Sequence, residues 1–273
     1  METKMTQEQI ESYLTRLQYT RPIQLDGATL KELQYAHLKS IPYENLDILN
    51  HIPISLEPQD LFRKMILHQR GGYCFETNGL YSWFLKSLGF QVTNFAGRFL
   101  KGYTGDQMRR HRVLKVAAED GVFLCDVGVR SESPRYALLL AENEIQTDGF
   151  AQYNLTKDVF LGWVLWQKEP SREWTKLFAF TEEPQLDIDY VMASFYCEKH
   201  PDSIFNKIIK LAIFHDNGHI ALDGNNLKFF EGASLTHKVT LERREDFAEA
   251  IKTLFSIHLP VSLEQSLLDS ILS

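Results

Sequence analysis

The run Arg70-Gly71-Gly72-Tyr73-Cys74-Phe75-Glu76-Thr77-Asn78 is the stretch of this chain best suited to chemistry. Two adjacent glycines permit a tight backbone that other groups can approach closely. The cysteine follows at the expected start of an amphipathic helix. That position offers unpaired backbone N–H groups and the positive end of the helix dipole. Both favour a thiolate, and both can hold an oxyanion beside it. The same residue also fits a buried structural cysteine after a plain Gly-Gly loop.

A nucleophilic thiol needs a base, and the base needs a group to orient it. Of nine histidines, His111 stands apart because it opens the apolar run Val113, Leu114, Val116. Asp126 lies in the next apolar run, among Phe123, Leu124, Cys125 and Val127. A carboxylate there is costly unless paired. Glu119-Asp120-Gly121 signals a turn between the two runs. In an antiparallel hairpin, any loop of even length places His111 and Asp126 on one face. A six-residue loop over 116–121 sets them directly opposite. The alternative for Asp126 is a cap on backbone groups at a strand end. Cys125 is expected to face away from Asp126, into the core. Cys197 and His200 have no second ligand pair close by, which fits structural roles. There is no P-loop, no G-x-G-x-x-G after a strand and no H-E-x-x-H.

The elements that must hold these residues change character along the chain. A capping box at Thr6 and Gln9 precedes a stripe of Ile10, Tyr13, Leu14 and Leu17. Thr29 with Glu32 repeats that signal, and Pro42 ends the second helix. A third helix is predicted from Pro58 to about His68. A fourth runs from Cys74 to Leu88 and is stopped by Gly89. The middle third shifts to short apolar runs over 92–100, 111–117, 122–127, 159–167 and 174–180, read as antiparallel strands. The last third is mixed. It has a helix over 188–196, hairpin signals at Asn217-Gly218 and Asp223-Gly224, and two terminal helices over 243–257 and 262–272.

Composition bounds the function. The 273 residues are 44% hydrophobic and 24% charged, as in an ordinary globular protein. A net charge of −7 argues against a general nucleic-acid binder, though not against a local basic pocket for a small anionic cofactor. No segment approaches the roughly 20 apolar residues of a membrane span. The polar, acidic start of the chain does not read as a secretion signal. Three cysteines at wide, irregular spacing form neither a disulfide framework nor a zinc site. The expectation is a cytoplasmic, reduced protein without a structural metal.

With the motifs taken together, the chain resembles the arylamine N-acetyltransferases. The resemblance rests on Arg70-Gly71-Gly72-Tyr73-Cys74-Phe75-Glu76 with Asn78, on Pro42-Tyr43-Glu44-Asn45-Leu46, and on Ala96-Gly97-Arg98. It rests further on His111-Arg112-Val113-Leu114, on Asp126-Val127-Gly128, and on His200-Pro201-Asp202-Ser203 with Phe205. These occur in the family's order and at its spacings over roughly residues 5–273. The resemblance implies a Cys74–His111–Asp126 triad on an α+β fold with a cysteine-protease- or transglutaminase-like core. An N-terminal helical bundle (1–89) would carry the nucleophile, a central antiparallel β-barrel (90–199) the His and Asp, and a C-terminal α/β lid (200–273) would cover them. It implies acetyl-CoA as donor and an aromatic amine or hydrazine as acceptor, by a ping-pong route through acetyl-Cys74. The 37 residues from Cys74 to His111 separate the chain from papain-type proteases, where about 130–150 intervene.

Tyr43, Arg110, Val129, Arg130 and Phe205 are the expected acceptor-binding residues. Several depart from the family's pattern. Val129-Arg130 stand where Phe-Gly is usual, Arg110 where Thr is usual, and Tyr43 where Phe is usual. Losing an aromatic face at 129 and gaining a cation at 130 predicts weak use of bulky apolar arylamines and better use of carboxylated ones. Alternatively, Arg130 points to solvent, and Tyr43 or Phe205 fills the space beside Val129. Two rival readings share the triad or the fold. One is a thiol enzyme forming or cleaving amides with another acyl donor. The other is a catalytically silent binding protein.

Overall fold

A computed structural model describes residues 4–272. Helix α1 (Gln7–Leu17) begins at the capping box read from sequence, with the Thr6 side chain accepting from the Gln9 N–H. Helix α2 (Gly27–Ser40) is capped by Asp26, whose carboxylate accepts from Thr29 N at 2.8 Å. Thr29 is therefore inside the helix and not its cap. A single turn, α3 (Leu46–Leu49), precedes α4 (Pro58–Phe62), and α4 continues into a π-helical turn over Arg63–Leu67. Helix α5 runs Cys74–Leu88 and ends at Gly89 with φ +111°, a conformation that favours glycine. Its residues from Cys74 to Leu85 are all buried, so it is the central rod of the bundle.

Eight antiparallel strands follow. They are β1 (Gln91–Phe99), β2 (His111–Ala118), β3 (Gly121–Cys125), β4 (Leu138–Leu139), β5 (Gln146–Thr147), β6 (Gln152–Asp158), β7 (Gly162–Lys168) and β8 (Thr175–Pro184). Their spatial order is β4-β3-β2-β1-β8-β7-β6-β5. The two ends meet through a side chain. The Gln146 amide donates to Leu139 O at 2.8 Å and accepts from Leu139 N at 2.7 Å, nearly closing a barrel. Its interior is packed by Phe95, Leu155, Leu165, Phe178 and Phe180. The apolar run over 159–167 does not form one strand. Val159 and Phe160 lie exposed at the tip of the β6–β7 hairpin, because Asp158 accepts from Phe160 N and Leu161 N and turns the chain there.

Helix α6 (Tyr190–Lys199) leads to a second sheet. This is the meander β9 (Lys210–His215), β10 (Gly218–Asp223), β11 (Asn226–Glu231) and β12 (Ser234–Thr240). Helices α7 (Arg244–Thr253) and α8 (Val261–Leu272) pack on it through Phe247, Ile251 and Leu267. Among the described residues no helix is long and apolar enough to cross a membrane.

The segment around Tyr43 joins these parts. Tyr43 exchanges backbone hydrogen bonds with Ala212 of β9, at 2.9 and 3.0 Å. On its other side, Glu44 N donates to Gly72 O at 3.0 Å. Glycine is required in that rung: a Cβ at Gly71 would lie 1.9 Å from Pro42 O.

Candidate active site

Cys74 is the first residue of α5, and its side chain is buried, with 5% exposure. Its Sγ approaches the carbonyl of Arg110 at 3.7 Å. Burial pushes the thiol up, and Cys197 and Asp126 add to that. The backbone N–H groups of Phe75 and Arg112 pull the other way by favouring charged sulfur. Beneath the helix start, Glu76 accepts from Tyr73 N and from Lys64, and Arg70 is gripped by Glu44 and Asp47. Burial pushes Glu76 up to about 7. These ion pairs fix the loop that presents the cysteine.

Strands β2 and β3 pair with Leu114 opposite Cys125 and Ala118 opposite Gly121, across a two-residue turn at Glu119-Asp120. The even loop puts His111 and Asp126 on one face, as expected. They are not directly opposite: the register sets Val113 against position 126, so Asp126 meets His111 diagonally. The contact is nevertheless direct, with His111 Nε2 and Asp126 Oδ2 2.5 Å apart and both side chains buried. With Nε2–H donated to the carboxylate, Nδ1 is the ring nitrogen left to take a proton.

The other oxygen of Asp126 accepts from Asn78 Nδ2 and from Gly128 N, each at 2.8 Å. Asn78 also accepts from Val127 N and donates to Arg112 O, so one amide ties α5, β2 and the residues after β3 together. Gln34 accepts from Asp126 N at 3.0 Å. Sequence reasoning found Asn78 only within a motif and missed Gln34, whose helical spacing gives no hint of a partner 92 residues away.

Gly128 presses on Cys74: a Cβ there would lie 2.7 Å from both Cys74 Cα and Asn78 Nδ2. Gly128→Ala is therefore expected to cut kcat/KM by about tenfold or more and to destabilise the fold by about 1–3 kcal/mol. Steady-state kinetics and urea unfolding check both.

Cys74 and His111 line a cavity of about 190 Å³. All five expected acceptor-binding residues, Tyr43, Arg110, Val129, Arg130 and Phe205, line the same cavity. Arg130 does not point to solvent. Its φ is +55°, which explains why glycine suits this position, and its guanidinium pairs with Asp223 of β10 at 2.6 Å. Asp223 also holds Lys210 at 2.9 Å. Arg130 is thus not the free cation expected from sequence. Among the described residues no group of three or more His, Cys, Asp or Glu is placed to hold a metal ion.

The chain is similar to known proteins over most of its length. A family model described as N-acetyltransferase matches residues 26–263. The arylamine N-acetyltransferase of Mycolicibacterium smegmatis is 33% identical over 256 residues, covering 90% of this chain and 91% of the relative. The structure of the Salmonella typhimurium arylamine N-acetyltransferase superimposes with a TM-score of 0.91 at 26% identity, covering 98% of each chain. That of the Mycobacterium marinum enzyme in complex with CoA gives 0.89 at 28% identity, covering 96% of this chain and 98% of the other. The chain belongs to the arylamine N-acetyltransferase family. It is an acyltransferase of the α+β class, with a helical bundle, a nearly closed antiparallel barrel and an α/β unit.

Proposed function

We propose that this enzyme transfers the acetyl group of acetyl-CoA to the nitrogen of an aromatic amine or hydrazine through acetyl-Cys74. The observation that carries the reading is that the buried, hydrogen-bonded His111–Asp126 pair and a cysteine at a helix N-terminus meet at one cavity, which His111 and Cys74 both line. The Cys74 proton passes to His111 Nδ1, and Asp126 steadies the imidazolium. The thiolate attacks the acetyl carbon, and the N–H groups of Phe75 and Arg112 that favour charged sulfur would favour the adjacent oxyanion in the same way. The bond from carbon to the CoA sulfur breaks, and CoA leaves with the proton from His111. The amine then attacks acetyl-Cys74, His111 takes the amine proton, and the Cys74 sulfur recovers it as the product leaves.

The division of labour in this reading is residues 1–89 for the nucleophile, 90–199 for His and Asp, and 200–273 for the cover. Tyr43, Arg110, Val129, Arg130 and Phe205 surround the acceptor. A cytoplasmic setting suits a mechanism that needs a reduced thiol, and Cys74, Cys125 and Cys197 are all free. The test is intact-mass analysis after mixing with acetyl-CoA alone. The expected result is one acetyl group, mapped to Cys74, with one equivalent of CoA released. An unmodified protein, or an acetyl elsewhere, overturns the reading.

A further inference from the structure

The buried and half-buried arginines of this protein have their charge answered, with one exception. Arg70 is paired with Glu44 and Asp47, Arg112 with Asp187, and Arg130 with Asp223. Arg16 donates to the carbonyls of Met65 and Gln69, and Arg135 to those of His215 and Gly218. Arg110 has no carboxylate within ion-pair distance among the described residues. Its Nε is shielded from solvent and has no hydrogen-bond partner there either. The guanidinium lies over the Tyr196 ring at 5.4 Å and beside the Cys197 sulfur. Both are soft neighbours that leave a positive charge unneutralised. A half-buried cation in that state is costly unless something else completes it.

Its position says what that is. Arg110 lines the cavity of Cys74 and His111, and its own carbonyl is the one that Cys74 Sγ approaches. The cavity's other cations, Arg130 and Lys210, are spent on Asp223, and Glu132, a carboxylate in its lining, forms no ion pair with Arg110 among the described residues. We infer that Arg110 is the specificity-determining residue for an anionic acceptor, reading a carboxylate on the aromatic amine while Cys74 delivers the acetyl group to its nitrogen. This rests on the acetyl-Cys74 route above and deepens it. It moves the expected preference for carboxylated acceptors from Arg130 to Arg110. A carboxylate on the ligand would give Arg110 the charge-assisted pairing that Arg70, Arg112 and Arg130 have within the fold.

The experiment measures kcat/KM for 4-aminobenzoate and for 4-methylaniline in the wild type and in Arg110→Gln, Arg110→Lys and Arg130→Gln. Comparing the acceptor ratio between variants cancels the intrinsic reactivity of the two amines. The ratio is expected to fall about tenfold or more in Arg110→Gln, to recover in part in Arg110→Lys, and to move less in Arg130→Gln. A ratio that moves less than about twofold in Arg110→Gln, or a larger change in Arg130→Gln, overturns the inference. The intact-mass experiment on the wild type keeps the two failures apart. If acetyl-CoA acetylates Cys74 and the ratio does not move, only the role of Arg110 is lost. If Cys74 is never acetylated, the catalytic reading falls and takes this inference with it.

Discussion

Cys74→Ser should yield a folded protein whose acetyl transfer is reduced by at least about 10³-fold in kcat/KM. The fold should persist because serine is slightly smaller, and its hydroxyl can still donate to the Arg110 carbonyl that Cys74 now faces. The chemistry should not persist. Burial already works against ionising the thiol, and on the proposed route the thiolate forms by handing its proton to His111. A hydroxyl, far less acidic than a thiol, would make that transfer steeply unfavourable. Steady-state rates with a thermal melt decide the matter. A serine variant with a normal melt and a tenth of the wild-type rate would mean that another group carries the acetyl.

Asp126→Asn should cost roughly 10³- to 10⁴-fold, the scale on which the wrong imidazole tautomer is felt in triads of this kind. The structure gives the reason. One oxygen of residue 126 must accept from Asn78 Nδ2 and Gly128 N. The amide oxygen of the variant will take that place, turning its NH₂ toward His111 Nε2. The ring must then accept at Nε2 and keep its proton on Nδ1, where it cannot receive one from Cys74. Iodoacetamide alkylation of Cys74 should slow in parallel. An Asn variant with ordinary turnover and ordinary alkylation kinetics would show that another acid orients the ring.

The legible parts of this protein are those whose causes are local. Both ends of helix α5 are legible because Gly71-Gly72 and Gly89 mark them chemically. His111 and Asp126 could be placed on one face because only the parity of the loop matters. Their register was not legible, since the turn at Glu119-Asp120 is shorter than the six-residue loop that would align them directly. Strand β6 is hard to read because Gln152, Asn154, Thr156 and Lys157 dilute an apolar signal carried by Tyr153 and Leu155 alone. The pairing of Arg130 with Asp223 was beyond reach, because 93 residues separate partners that meet only when the second sheet docks on the barrel. The orphaned state of Arg110 is likewise a property of what does not surround it, which no spacing encodes.

The rungs at Tyr43 bear on how substrates come and go. Its segment is hydrogen-bonded on one side to the loop that presents Cys74 and on the other to the first strand of the covering sheet. Swinging that sheet away would break two backbone hydrogen bonds to Tyr43 and strain the strut from Arg130 to Asp223. These contacts tie the covering sheet to the loop that presents Cys74. On the acetyl-Cys74 route proposed above, donor and acceptor both react at the cavity that Cys74 and His111 line. On that route the amine attacks the carbon from which CoA has just departed, so a cavity held in one shape serves the two half-reactions one after the other.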